Sequence, residues 1–179
     1  MALQNLQTWA EKMPKQSAGL LLYRRRSSSC EVLLVHPGGP FWARKDEAAW
    51  SIPKGLIEED EQILAAAKRE FAEETGFSPT GNFIALGTFR QPSGKILHVW
   101  AVEGDFDPKS LRCNMFSLEW PPRSGRIRDF PEVDRAEWFS FEEAARKLVK
   151  GQRPLLKTLQ ARLGVILAPS ISKGVRHEP

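Results

Sequence analysis

Gly55-x5-Glu61-x7-Arg69-Glu70-Phe71-x-Glu73-Glu74-x-Gly76-Phe77 is the stretch on which the reading of this chain turns. Ile63, Ala67 and Phe71 recur at four-residue spacing with Leu64 beside them, which predicts an amphipathic helix over residues 62–75. Glu58, Glu59, Asp60 and Glu61 stand at or just before its start, where the helix dipole favours negative charge. Gly76 follows the last turn and can end the helix in the left-handed conformation. Glu70, Glu73 and Glu74, three and four positions apart, converge on one patch away from the apolar stripe.

Clustered carboxylates repel one another unless a cation sits between them. Hard oxygen donors that leave room for water suit Mg²⁺ or Mn²⁺. Glu70, Glu73 and Glu74 are therefore candidate metal ligands, and Arg69 and Glu61 are the partners that hold them in orientation. Three glutamates alone would more often be a solvated acidic face. Gly55, Glu61, Arg69 and Gly76 at their spacings change that balance, because a chance match in a chain this long has odds of roughly one in ten million at ordinary residue frequencies.

Residues 55–77 match, at every fixed position, the signature of the Nudix hydrolases, and the resemblance extends less specifically over residues 18–148. The flanking Gly39-Pro-Phe-Trp-Ala-Arg-Lys-Asp46 and Trp50-Ser-Ile-Pro-Lys-Gly55 resemble a bacterial subgroup described as predicted nucleoside-triphosphate pyrophosphohydrolases. The resemblance implies an α/β fold, a Nudix-type α/β/α sandwich with a mixed central sheet. It also implies Mg²⁺-dependent hydrolysis of a nucleoside diphosphate linked to another group. It places metal on Glu70 and Glu74, with Glu73 often bridging, and on the backbone carbonyl of Lys54; Glu61 and Arg69 carry over as the supporting pair. Glu132, in Asp129-Phe-Pro-Glu-Val-Asp134, resembles the loop glutamate of MutT-type members and is expected to be a further metal ligand or the general base; the alternative is an ordinary loop acid. Glu70, Glu73, Glu132 and Arg69 are the catalytic candidates.

The chemistry agrees with that inference. A phosphoanhydride transition state needs charge neutralisation and an aligned water more than a covalent nucleophile. Bound dications polarise phosphoryl oxygens and acidify a bound water. Lys54, just before the motif glycine, can meet a substrate phosphate as a point charge, with Arg44 and Lys45 weaker candidates of the same kind. Trp50 or Trp42 can stack on a base, whereas Trp100 and Trp138 lie in apolar strand patterns and read as core. Arg123, Arg126 and Arg128 crowd a Pro- and Gly-containing loop that is solvated by default and a substrate cover by alternative. His36 and His98 read as strand residues, since neither has a partner at metal-site spacing.

The rest of the chain bounds the answer. At 179 residues, 41% hydrophobic and 27% charged, it reads as one soluble domain with a proper core. A net charge of +4 suits an anionic small molecule without demanding nucleic acid. Cys30 and Cys113 lack metal-ligand spacing and read as reduced thiols of a cytoplasmic protein. No apolar run approaches membrane-spanning length, so no membrane partner is expected.

Residues 1–16 read as an N-terminal extension with a short helix carrying Leu3, Leu6, Trp9 and Met13, residues 17–165 as the hydrolase domain, and residues 166–179 as a mobile polar tail. Strands are expected at 17–23, 31–36, 50–52, 82–90, 95–103, 115–120 and 135–139, with Arg24, Arg25 and Arg26 at a solvated hairpin tip. Ser140 with Glu143 predicts a capped second helix, and Pro154 opens a third. The Pro53-Lys54-Gly55 turn leans the substrate toward nucleoside triphosphates or dinucleoside polyphosphates. An RNA 5′ pyrophosphohydrolase and a non-catalytic nucleotide-binding regulatory module are the alternatives; the intact glutamates oppose the second.

Overall fold

The computed structural model describes residues 15–27 and 29–164. The expected N-terminal helix and C-terminal tail lie outside the described residues.

Strand β1 (Gln16–Arg25) organises the molecule, with every residue from 17 to 23 buried. Ala18, Leu20 and Leu22 face one side, and Leu21 and Tyr23 the other. A strand apolar on both faces has to be covered on both. Helix α1 (Ile63–Thr75) covers the first face, packing Ala66, Ala67 and Phe71 against Leu20, Leu22, Leu33 and Val35. Helices α2 (Phe141–Lys147) and α3 (Pro154–Leu163) cover the second, bringing Phe141, Ala144, Leu155 and Leu159 onto Leu21, Val32 and Leu34. Fully burying a side chain such as Phe71 contributes roughly 1.5–3 kcal/mol. The result is an α/β/α sandwich.

The sheet is mixed. β2 (Cys30–Pro37), β4 (Phe83–Arg90), β5 (Ile96–Glu103) and β8 (Val133–Ser140) give the order β4-β5-β1-β2-β8, with β1 and β5 parallel and the other neighbours antiparallel. One edge of β1 is shared. Tyr23, Arg24 and Arg25 pair with β2, whereas Ser17, Ala18 and Gly19 pair with β3 (Lys54–Leu56). The expected strand at 50–52 is thus displaced: Trp50 and Ser51 make only isolated bridges to Leu148 and Val35. The backbone groups of β1 that β2 does not reach have to be satisfied, and Lys54–Leu56 satisfies them.

Three further expectations are corrected. Ile63, placed on the apolar stripe, is 36% exposed, and the buried face begins one turn later with the small residues Ala66 and Ala67. Residues read as an arginine loop include a strand, β7 (Ile127–Pro131), which pairs with β6 (Met115–Glu119) in a separate two-stranded sheet. Most of β7 is exposed, so no apolar alternation marked it. Arg24 is not solvated: it bonds Glu31 at 2.7 Å and Asp105 at 2.8 Å and lies over the Trp138 ring.

The Ser140 capping box forms as expected, with Ser140 Oγ accepting from the Glu143 N–H and Glu143 accepting from the Ser140 N–H. His36 and His98 are strand residues, and Cys30 and Cys113 are unbridged.

Candidate active site

The site is built where β3 passes beneath α1. Gly55 pairs with Ala18 in the sheet, and Glu70 descends onto it from the helix. A Cβ at position 55 would lie 1.8 Å from Glu70 Oε2, so any side chain there displaces the carboxylate. Gly55→Ala is expected to swing Glu70 out of line and cut turnover about 10–100-fold, the range for disturbing a ligand's support. Far-ultraviolet circular dichroism should be unchanged, and wild-type turnover in this variant would show that the close approach is dispensable. Gly76 ends α1 at φ 73°, donating its N–H to the Ala72 carbonyl.

Arg69 is fully committed. Its Nε and Nη2 donate to the two oxygens of Glu61, each at 2.9 Å, and its Nη1 to Glu70 at 2.9 Å and Glu73 at 3.2 Å. Nη2 also donates to the Leu56 carbonyl at 3.0 Å. All five N–H donors of the guanidinium are thereby placed. The fork holds the Glu61 carboxyl below its ordinary range, and Glu61 in turn raises the Arg69 pKa.

The carboxylates next to it behave in the opposite sense. Burial pushes Glu70 up, with Arg69 opposing and Glu73 reinforcing. Burial pushes Glu74 up to about 7, opposed by the Lys54 ammonium and by the Lys54 N–H, which donates to Glu74 Oε2 at 3.3 Å; Glu70 and Glu132 add to the rise. Glu132 therefore joins the cluster from the β7–β8 junction. Its N–H donates to the Asn114 carbonyl, its carbonyl accepts from Gly38, and the Asn114 N–H donates to the Glu73 carbonyl.

Among the described residues, no three acidic, histidine or cysteine side chains converge as they stand on one ion position. Arg69 occupies oxygens of Glu70 and Glu73 that an ion would otherwise take. The donor set nevertheless fits a hard dication. It offers all-oxygen ligands that burial and mutual repulsion leave short of positive charge, and relieving that shortage is what such an ion does.

Sequence reasoning missed one cation. Lys95, at the β4–β5 turn, has its pKa lowered by burial and then by the nearby Lys54 and Lys15 ammonium groups, with Glu70 opposing. A rim of lysines thus faces a patch of glutamates. The signal was a lone lysine in a Pro-Ser-Gly turn, which nothing local distinguishes from a solvated one.

Lys54 also lines a cleft of about 450 Å³ together with Trp42, Ser51, Pro92 and Gln152. The structure separates the two candidate stacking residues. Trp50 is 1% exposed, donates its indole N–H to Asp46 at 2.9 Å and packs edge-on against His36 and Phe139, so it belongs to the core and cannot touch substrate. It was misread because proximity in sequence says nothing about facing. Trp42 is the tryptophan on the cleft, with the Lys45 ammonium over its ring. Arg44 is exposed and is not among the residues that line the cleft; Arg123, Arg126 and Arg128 are exposed in and around the β6–β7 hairpin.

The sequence profile of the NUDIX domain matches residues 13–159. Nudix hydrolase 7 of Arabidopsis thaliana is 36% identical over 128 residues, 70% of this chain and 39% of that protein. The chain thus spans about two fifths of that relative's length. Two solved structures share the fold. A Caenorhabditis elegans Ap4A hydrolase binary complex superimposes with a TM-score of 0.59 at 21% identity, covering 84% of this chain and 99% of its own. The NUDIX domain of Shewanella oneidensis NrtR, complexed with ADP ribose, gives 0.61 at 19% identity, covering 90% and 96%.

Proposed function

The chain belongs to the Nudix family, and from that premise we propose that it hydrolyses a phosphoanhydride bond in a nucleoside diphosphate linked to another group, with Mg²⁺ or Mn²⁺ as cofactor. One observation carries this reading: Glu70, Glu73 and Glu74 share a helix face near Lys54 and Lys95, and Lys54 also lines a nucleotide-sized cleft. A polyphosphate with its metal ions is the chemical object that needs both charges side by side.

Glu70, Glu73 and Glu74 and the Lys54 carbonyl would hold the ions. When bound, these supply neutralisation of phosphoryl charge and an acidified water. The Lys54 and Lys95 ammonium groups hold phosphate oxygens of the substrate. Arg69, pinned by Glu61, keeps Glu70 and Glu73 from turning away. Glu132 accepts the proton of the attacking water or adds a ligand oxygen, and its variant separates the two. Glu132→Gln is expected to lower kcat about 100-fold, the scale of a general base. A flattened acid limb of the pH–rate profile marks the base, weakened metal affinity marks the ligand, and near wild-type turnover removes Glu132 from the mechanism.

Two basic groups favour more than one phosphate, so nucleoside triphosphates and dinucleoside polyphosphates lead. Free Cys30 and Cys113 fit a cytoplasmic setting. The test is a panel of nucleoside triphosphates, diadenosine polyphosphates, ADP-ribose and triphosphorylated RNA with Mg²⁺, with products identified by mass spectrometry. Turnover of at least one member with metal uptake by calorimetry is expected. Tight nucleotide binding without turnover would make the chain a binding module instead.

A further inference from the structure

His36 stands in β2 with 0% of its surface exposed, yet both nitrogens of its ring meet oxygen. Nδ1 lies 2.7 Å from Asp134 Oδ1, and Nε2 lies 2.8 Å from the Lys45 carbonyl oxygen. A carboxylate and a backbone carbonyl only accept, so the ring satisfies both only as an imidazolium, with a proton on each nitrogen. Asp134 supplies the counter-charge from the place in β8 where the register slips: His36 pairs with Arg135 and Pro37 with Val133, leaving Asp134 between them.

Charged groups approach the ring from β8, from the loop of residues 38–48 and from α2. Asp134 Oδ1 also lies 3.5 Å from the Arg135 guanidinium, which sits over the Trp50 ring. Trp50 packs edge-on against the imidazole and donates its indole N–H to Asp46, and Lys147 of α2 pairs with Asp46 and Glu47. The Lys45 ammonium is turned away, over Trp42.

The loop depends on this contact. The Lys45 N–H donates to the Trp42 carbonyl at 2.7 Å, so imidazole, Lys45 and Trp42 form one chain of hydrogen bonds that ends at the tryptophan lining the cleft. The Asp46 side chain fastens the loop's exit separately. When the ring gives up one proton, Nδ1 keeps the other, because the carboxylate is the stronger acceptor. Nε2 then turns a lone pair toward the Lys45 carbonyl, and the loop on the Trp42 side of Asp46 is released.

We propose that His36 is a positioning residue: as an imidazolium bracketed by Asp134 and the Lys45 carbonyl, it holds the loop so that Trp42 stays on the cleft, and loss of its proton loosens substrate binding. That Trp42 meets a nucleotide rests on the reading above; the bracket around the imidazole does not.

The experiment measures KM and kcat at saturating Mg²⁺, across the pH range in which histidines exchange their proton, for each nucleotide of the panel that is turned over. Wild-type KM is expected to rise about 10-fold toward the alkaline end, the scale of one base stacked on one aromatic ring. His36→Phe keeps a ring against Trp50 and removes both donors, so its KM should be high at every pH with kcat close to wild type. His36→Gln offers Lys45 an amide donor that does not titrate, so its KM should be low at every pH. Asp134→Asn should flatten KM at the low value too, because its amide donates to Nδ1 and leaves the Nε2 proton for Lys45. A histidine that merely filled space would not give flat curves at two different levels.

A second readout needs no turnover. Nitrogen-15 spectra of wild type at acid pH should show both ring N–H protons of His36 slow to exchange. Amide exchange at Lys45 should quicken toward alkaline pH in wild type relative to His36→Gln.

A single ring proton at acid pH would overturn the proposal. So would KM curves of unchanged slope in His36→Gln and Asp134→Asn, with hydrolysis left standing. The expected spectra and exchange, with no nucleotide turned over, would instead sink the hydrolase reading and leave the loop latch intact. Should His36→Phe fail to fold, the other two variants and the wild-type spectra still decide.

Discussion

Glu74→Gln is expected to lower turnover by at least about a hundredfold, since even the groups that merely support a metal ligand are worth up to that much, and to stabilise the metal-free protein above neutral pH. The second effect follows from the Glu74 carboxyl, whose ordinary value of 4.5 is pushed up to about 7 by burial and by the neighbouring Glu70 and Glu132. Between those two values the folded protein keeps a proton that the unfolded chain has released. The contribution of Glu74 to stability is therefore complete below pH 4.5 and is lost as the pH rises through about 7. Glutamine has no proton to lose and its Oε1 can still accept from the Lys54 N–H.

In chelator at pH 8, urea titration should find the variant more stable than wild type by about 3 kcal/mol, the linkage value of a rise from 4.5 to about 7. The difference should shrink toward zero near pH 4.5. Saturating Mg²⁺ should reverse the order, because a ligand that binds only the folded state stabilises the protein that can bind it. A variant less stable than wild type at pH 8 without metal would show that Glu74 is not held against its charge.

Arg69→Ala is expected to be the most destabilising of these substitutions. The guanidinium is the cation shared by Glu61, Glu70 and Glu73, and its side chain is 27% exposed beside partners at 16%, 14% and 40%. Removing it leaves two mostly buried carboxylates unpaired. The cost in metal-free buffer is about 2–3 kcal/mol, below the figure for fully buried pairs because Glu73 is well solvated. Arg69→Lys should recover only part of this, since three donors on a flexible stem cannot replace five in a fork. Mg²⁺ should narrow the gap between Arg69→Ala and wild type by neutralising Glu70 and Glu73. If Mg²⁺ stabilises both equally, ion and guanidinium do not share those carboxylates.

These effects pull stability and activity in opposite directions at neighbouring residues. Arg69 compensates the cluster from one side; Glu74, which Arg69 does not reach, stays under-neutralised on the other. Strain of this kind at a local charge cluster is expected where binding a cation is the purpose.

How much of this was legible varies with the range of the interaction that decides it. The helix at 63–75, its glycine stop, the Ser140–Glu143 cap and the proline opening α3 all depend on neighbours within a turn, and all are where the spacing put them. Trp50 could not be assigned the same way. Its burial is decided by His36 and Phe139, which approach from two other strands. β7 escaped notice because its stability comes from backbone pairing with β6 rather than from an apolar face.

The amino-acid pattern alone determined that one helix would carry three glutamates and an arginine on one face, because helical periodicity is local and the same in any context. It also put a glycine at position 55, although what that glycine makes room for, the carboxylate of Glu70 lying against it, is visible only in the fold. Tertiary structure decided which charges stand near that face: Lys95 comes to it from a distant hairpin, and Glu132, already a candidate in the sequence, comes to it from a strand junction. Those choices depend on how the sheet's two faces are covered and where its loops meet, and chain folding over such distances leaves no periodic trace in the sequence.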